Sequence, residues 1–198
     1  TPTSPQGTDT LTPSSPSTEI PIDELSSAAV SPNCQENGCI RWALFLGDYP
    51  AQTLRSIAAS HVIIENGYSV WQVGYWTFDR ETRATFTIPF DAPAPSNGWP
   101  LAVNNPGSVG VGDSCALSRS TGAAALAGYF GARGFFGITL DCPGLGYEGI
   151  HPYLVSQVNG RASLDALRAA HHFADRFSIP ISGRAVITGL SQGGHTTF

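Results

Sequence analysis

Residues 187–198 read "ITGLSQGGHTTF", and within them Ser191 stands between Gly189 and Gly193. A serine hydroxyl becomes a useful nucleophile when an imidazole takes its proton and when donors wait for the negative oxygen of the tetrahedral intermediate. The Gly-x-Ser-x-Gly spacing suits that chemistry if a strand precedes it and a helix follows. The serine then sits on a turn so tight that a Cβ two residues to either side would collide. The apolar "AVIT" before Gly189 supplies a strand, and "GGHTTF" is compatible with a short helix. In that arrangement the backbone N–H of Gln192 is one oxyanion donor. A second is expected from "NNPGSVGVGDSCALS", which begins at residue 104, where Gly107 lets the backbone come close to a substrate and Ser108 presents the next N–H. Losing one such donor typically lowers turnover by about 10²- to 10³-fold.

Other residues invite chemical readings that the pattern does not support. "GLGYEG" at 144–149 has the spacing of a dinucleotide fingerprint, but Pro143 precedes it and Pro152 interrupts the helix that should follow. No nucleotide or other cofactor is expected. His195 lies four residues after Ser191 on the helix leading away from the serine, so it is a pocket-lining candidate rather than the activating imidazole. His171 and His172 fall on a helix, with solvated or capping roles. His151 and Asp141 fall near the carboxyl ends of strands, where structural hydrogen bonding is expected of them. Asp165 with Arg161 and Arg168 reads as a surface ion-pair set on one helix. Cys34, Cys39, Cys115 and Cys142 lack the paired spacings of a zinc site, so no metal is expected. Three disulfide pairings and four free thiols all stay open.

The elements that must position Ser191 can be followed along the chain. Residues 1–33, opening "TPTSPQGTDTLTPSSPSTEIP", are too poor in apolar side chains to bury a core and read as a disordered stalk. Residues 34–66 read as an amino-terminal extension packed on the main domain. Within it "GDYPAQTLRSIAAS" puts Leu54, Ile57 and Ala58 at helical spacing. The main domain is assigned to 67–198. Strands are expected at 68–78 and at 83–90, the second with an edge or bulge position at Pro89, followed by a short strand at 100–104. A helix is expected over 118–133, started by Ser118 or Ser120 and stopped by Gly134. A doubly buried strand at 135–141, a helix at 157–178 ending before Pro180, and a strand at 184–188 complete the series. An antiparallel start feeding a βαβαβ series predicts an α/β sheet with helices on both faces.

Composition removes several classes. The net charge is −5 and all ten basic residues are scattered arginines, which excludes the footprint of a nucleic-acid binder. The absence of lysine excludes a P-loop lysine, a Schiff-base lysine or a Ser/Lys dyad within this sequence. No apolar run approaches the roughly 20 residues of a bilayer span. Methionine is absent even from position 1, which suggests a processed or internal segment.

Taken together, "LDCPGLGYEGIHPYLVSQVNGRASLDALRAAHHF" and "GRAVITGLSQGGH" resemble the secretory lipase family of α/β-hydrolases over about residues 67–198. That family carries an Asp-Tyr-x-Gly-Leu-Gly stretch, a Pro-Tyr-Leu stretch, a helix with Leu-Asp-x-x-Arg-Ala and the Gly-x-Ser-x-Gly turn in this order. The resemblance implies an α/β-hydrolase fold, a mostly parallel sheet with an antiparallel start, incomplete at the carboxyl end. It implies a serine esterase or lipase acting on small-molecule or lipid esters through an acyl-enzyme on Ser191, secreted or held in the cell envelope, with the stalk as a candidate anchor. Gly107 and Ser108 match the family's oxyanion-loop positions, with Pro106 where the family has His; Cys142 stands where it has Tyr. Because such hydrolases run in the order Ser, acid, His, the acid and imidazole are expected beyond residue 198, and this chain is expected to be the inactive amino-terminal part of a longer enzyme. A serine peptidase or thioesterase on the same fold and a non-catalytic hydrolase-like surface module are the alternatives.

Overall fold

The computed structural model of the protein describes residues 31–197. All but the last three residues of the expected stalk therefore lie outside the described residues. Among the described residues six strands form one sheet: β1 (Ile40–Tyr49), β2 (Gly67–Thr77), β3 (Arg80–Phe90), β4 (Trp99–Asn105), β5 (Phe136–Leu140) and β6 (Ile181–Gly189). Their order across the sheet is β1-β2-β3-β5-β4-β6. β1, β2 and β3 form an antiparallel meander, β3 also runs antiparallel to β5, and β4 is parallel to both β5 and β6. The sheet is thus mixed, with its parallel part at the end that carries Ser191. The helices are α1 (Ala51–Ile57), α2 (Thr121–Gly131), α3 (Ser156–Phe177) and α4 (Gln192–Thr197).

Alternation along β3 and β5 separates the two helical layers. Phe86 and Phe136 meet Phe173 of α3 edge-on at ring-centroid distances of 5.6 and 6.3 Å. On the opposite face the next residues, Thr87 and Gly137, meet α2: the Thr87 hydroxyl donates to the Ala127 carbonyl at 2.8 Å, and a Cβ on Gly137 would overlap that carbonyl. Successive side chains of a strand point to opposite faces, so α2 and α3 cover opposite sides. Both faces of β5 are buried for that reason, as its unbroken "FGITL" predicts. The core gathers Val73, Tyr75, Phe86, Leu101, Val103, Phe136, Ile138 and Leu140 against the alanines and Phe173 of α3.

Local signals explain most boundaries. Of the two serines that could start α2, Ser120 is the cap: its hydroxyl accepts from Gly122 N–H at 3.2 Å, and the chain turns out of the helix through Gly134 at φ +76°. Pro89 pairs with Tyr68, but the β3–β5 ladder covers only Ala84 to Thr87, so the proline sits past the end of that ladder and no amide is missed there. The start of α1 takes its cap from a distant residue, Asp91, whose carboxylate accepts from Ala51 N–H at 2.9 Å and Gly67 N–H at 2.8 Å.

Two features differ from the expectation, and one question that the sequence leaves open is closed. Residues 40–49, inside the expected extension, are hydrogen-bonded into the sheet as its edge strand. The antiparallel register slips twice, between Ile40 and Trp42 and between Phe45 and Gly47, which destroys the alternation that would betray a strand. Asp165 is no part of a surface ion-pair set. It is fully buried, accepts from Thr77 Oγ1 at 2.7 Å and pairs with Arg168, tying α3 to β2, while Arg161 stacks on Phe78 at 5.5 Å. Of the cysteines, Cys34 and Cys39 form a disulfide, and Cys115 and Cys142 are free.

Candidate active site

The parallel part of the sheet fixes where a site can form. β4 and β6 are neighbours in register, Asn104 beside Thr188 and Asn105 beside Gly189, so their carboxyl ends finish side by side. The chain leaving β4 proceeds to α2 on one face. The chain leaving β6 enters α4, which packs on α3 on the other face. Adjacent parallel strands whose continuations part to opposite faces leave a crevice at their carboxyl ends, the usual place for a ligand in an open α/β sheet.

Ser191 stands at that point, two residues past the end of β6. It is exposed and holds φ at +53°, a left-handed conformation that a serine adopts only when its surroundings enforce it. The enforcement comes from the flanking glycines. A Cβ on Gly189 would overlap the carbonyl of Gly193, and a Cβ on Gly193 would overlap the carbonyl of Asn105 at the end of β4. Strand, turn and helix therefore fold back at a separation only glycine permits. Gly193 N–H closes the turn on the Leu190 carbonyl at 2.8 Å, and His195 N–H reaches the Ser191 carbonyl at 3.1 Å. Gln192 is the first residue of α4, so its N–H has no acceptor within the helix. Among the described residues no side chain hydrogen-bonds to the Ser191 hydroxyl.

The loop after β4 lies against this turn. A Cβ on Gly107 would stand 3.4 Å from the Leu190 carbonyl, and the Pro106 carbonyl lines the space beside Gly193. Gly107 and Ser108 are thus brought to the same crevice as Gln192. Ser108 is exposed, and its hydroxyl is 3.2 Å from the hydroxyl of Tyr153. The Asn105 amide below donates to Thr197 Oγ1 at 3.2 Å, joining the end of β4 to α4 a second time.

Beneath Ser191 lies a buried polar layer. His151 Nδ1–H donates to the Pro143 carbonyl at 3.1 Å, and its Nε2 accepts from the Gln192 side-chain amide at 2.8 Å. The same amide nitrogen lies 3.7 Å from Cys142 Sγ. Burial, with the Asp141 charge beside it, pushes the Cys142 thiol up to about 12. Asp141 accepts from the backbone N–H and the hydroxyl of Ser118, at 2.9 and 2.5 Å. Burial nevertheless raises its carboxyl above the usual range, against the opposing pull of Ser118 and Arg83. His151 and Asp141 are therefore hydrogen-bonded structural groups, as their places in the sequence suggest. His195 lies exposed on α4, and among the described residues its side chain bonds to none of the others. Tyr153 belongs to the Pro-Tyr-Leu stretch that carries the family resemblance, but the sequence assigns it no role. Its signal was its place in "HPY", directly after the glycine-rich loop.

No protein-family model matches the chain, and no curated protein sequence matches it. Solved structures do. The rice cell wall degrading esterase LipA of Xanthomonas oryzae superposes with a TM-score of 0.69 at 24% identity, over 81% of this chain and 44% of that one. A ligand-bound form of the same esterase gives 0.67 over the same shares. A Legionella pneumophila protein provisionally described as a hydrolase gives 0.65 at 24% identity, over 80% of this chain and 45% of that one. The chain therefore spans less than half the length of these structures. Meander, parallel strands, crevice and likeness agree: this chain has the α/β-hydrolase fold.

Proposed function

We propose that the protein is a secreted serine ester hydrolase, an esterase or lipase related to the secretory lipases, that works through an acyl-enzyme on Ser191. The observation that carries the reading is the left-handed backbone of Ser191 between two glycines that admit no Cβ, at the crevice between β4 and β6. Ser178 shares that φ as the C-cap of α3, an ordinary helix stop; Ser191 differs in standing on a strand–turn–helix reversal whose flanking glycines are sterically required, the backbone of an exposed nucleophile.

In this reading the Ser191 hydroxyl adds to the ester carbonyl while its proton passes to an imidazole. The carbonyl oxygen, now negative, accepts from the backbone N–H of Gln192 and a donor at Gly107 or Ser108. Collapse of the tetrahedral intermediate breaks the bond to the alcohol, which leaves with the proton, and water repeats the sequence on the acyl-enzyme. The activating imidazole and its carboxylate belong to segments after Ser191, in the chain order of this fold. His151 is excluded because its ring nitrogens are spent on Pro143 and Gln192.

Secretion or a place in the cell envelope draws on the Cys34–Cys39 disulfide, which fits an oxidising compartment, and on the Ser/Thr/Pro-rich opening, which suits a stalk or anchor. A helix long and apolar enough to cross a membrane is absent among the described residues. The similarity to an esterase that degrades rice cell walls favours esters over other acyl substrates.

The test is turnover of a graded series of p-nitrophenyl esters by the full-length protein, with peptide amides and thioesters in parallel. The reading expects ester hydrolysis that falls by at least about 10⁴-fold on Ser191→Ala. Ester turnover unchanged in that variant would overturn it, and a preference for amides would favour a peptidase.

A further inference from the structure

The two proposed oxyanion donors belong to different segments, Gln192 at the start of α4 and Ser108 in the loop after β4, yet both side chains are held by one short turn. His151 Nε2 accepts from the Gln192 amide at 2.8 Å, with both residues buried. Two residues later the Tyr153 hydroxyl meets the Ser108 hydroxyl at 3.2 Å. The His151 and Tyr153 rings pack edge to face with centroids 6.0 Å apart, so the two contacts are mechanically joined.

The turn is itself pinned at three points. His151 Nδ1–H donates to Pro143 across the glycine-rich loop. That loop closes because Gly144, at φ +79°, lies where a Cβ would overlap the backbone of Ile150. Tyr153 N–H donates to the His151 carbonyl at 2.9 Å. The Pro152 carbonyl accepts from the buried Asn159 amide of α3 at 2.9 Å, which anchors the turn to a helix rather than to a loose loop. The Nδ1 contact also settles the proton on the imidazole. A carbonyl can only accept, so Nδ1 carries the hydrogen and Nε2 offers a lone pair to Gln192.

The geometry points to the turn at 151–153 as a brace that sets the spacing between the two halves of the oxyanion hole, with His151 and Tyr153 as positioning residues; this rests on the serine-hydrolase reading of Ser191. Oxyanion stabilisation depends on donors preset to the developing charge, and a displacement of about 1 Å is enough to cost up to about 10²-fold. The brace should therefore govern kcat and leave ground-state binding alone.

The experiment uses the full-length protein, p-nitrophenyl acetate, and a fluorophosphonate to count functional sites. His151→Ala is expected to lower kcat per titrated site by about 10- to 100-fold with KM unchanged. His151→Gln, which keeps an acceptor at the reach of Nε2, should recover most of that loss, and Tyr153→Phe should lower kcat by about 3- to 10-fold. A purely structural role would lower the number of titrated sites and the melting temperature but not kcat per site. Imidazole ¹⁵N spectra of the unmodified protein should show His151 protonated at Nδ1 only, a readout that survives if His151→Ala fails to fold. Unchanged kcat per site in His151→Gln, His151→Ala and Tyr153→Phe, or a hydrogen on Nε2, would overturn the brace. Absence of any titratable site in the unmodified protein would instead overturn the hydrolase reading, and the brace with it.

Discussion

The glycines around Ser191 are steric requirements, not flexible joints. A methyl group at position 193 would enter the carbonyl of Asn105, so Gly193→Ala must push α4 away from β4, at a cost of about 1–3 kcal/mol. We expect it to lower the thermal midpoint and to abolish fluorophosphonate labelling of the full-length protein, whereas Gly183→Ala, with no atom near its would-be Cβ, should change neither. Asp141 behaves oppositely to most structural carboxylates. Burial raises its folded value above the ordinary 3.8, so the folded protein holds this proton more tightly than the unfolded chain. Its contribution to stability is therefore greatest in acid and is lost as pH rises from about 3.8 through the raised value. Asp141→Asn removes that slope. Urea unfolding at a series of pH values should show the variant gaining on the parent as pH rises from 4 to 7, and a pH-independent difference would contradict the assignment. The tight turn at Ser191 was legible because glycine spacing encodes backbone geometry directly. The contacts of His151 with Gln192 and of Tyr153 with Ser108 were not, since no spacing rule links residue 151 to 192 or 153 to 108.

At the scale of elements, α1 has no cap of its own. Its first residue, Ala51, relies on Asp91, forty positions away, which also holds the start of β2 at Gly67. Asp91→Ala should cost about 1–2 kcal/mol in chemical unfolding and leave labelling of Ser191 intact, because the lost bonds lie at the far end of β2 and β3 from the crevice. The sequence reading placed α1, α2 and α3 within a few residues because their apolar spacing, the Ser120 cap and the stops at Gly134 and before Pro180 are local signals. β1 escaped it. Two slips of register break the period of two, so "IRWALFLGDY" carries no alternation even though it is paired along its length. Asp165 was misread for a related reason: helical spacing shows which residues share a face, but not that this face meets Thr77 rather than water.

For the whole molecule, the strand that carries Ser191 into place is also the least covered. β6 stands at the end of the sheet, with Val186 41% exposed and Leu190 just past it 75% exposed. Next to it a groove of about 1000 Å³ runs between α3, β6 and α4, lined by Phe78, Leu164, Ile187 and Thr196. The topology was foreseeable as a class, because a meander followed by alternating helices and buried strands has few right-handed solutions. The position of β6 beside β4, which makes the crevice, depends on a crossover that local pattern does not specify. The central claim is that Ser191 is an activated nucleophile, and mass spectrometry of the full-length protein after brief fluorophosphonate treatment tests it most directly. The account predicts one covalent adduct, mapped to Ser191 and absent from Ser191→Ala; an adduct on another residue, or none while ester turnover continues, would contradict it.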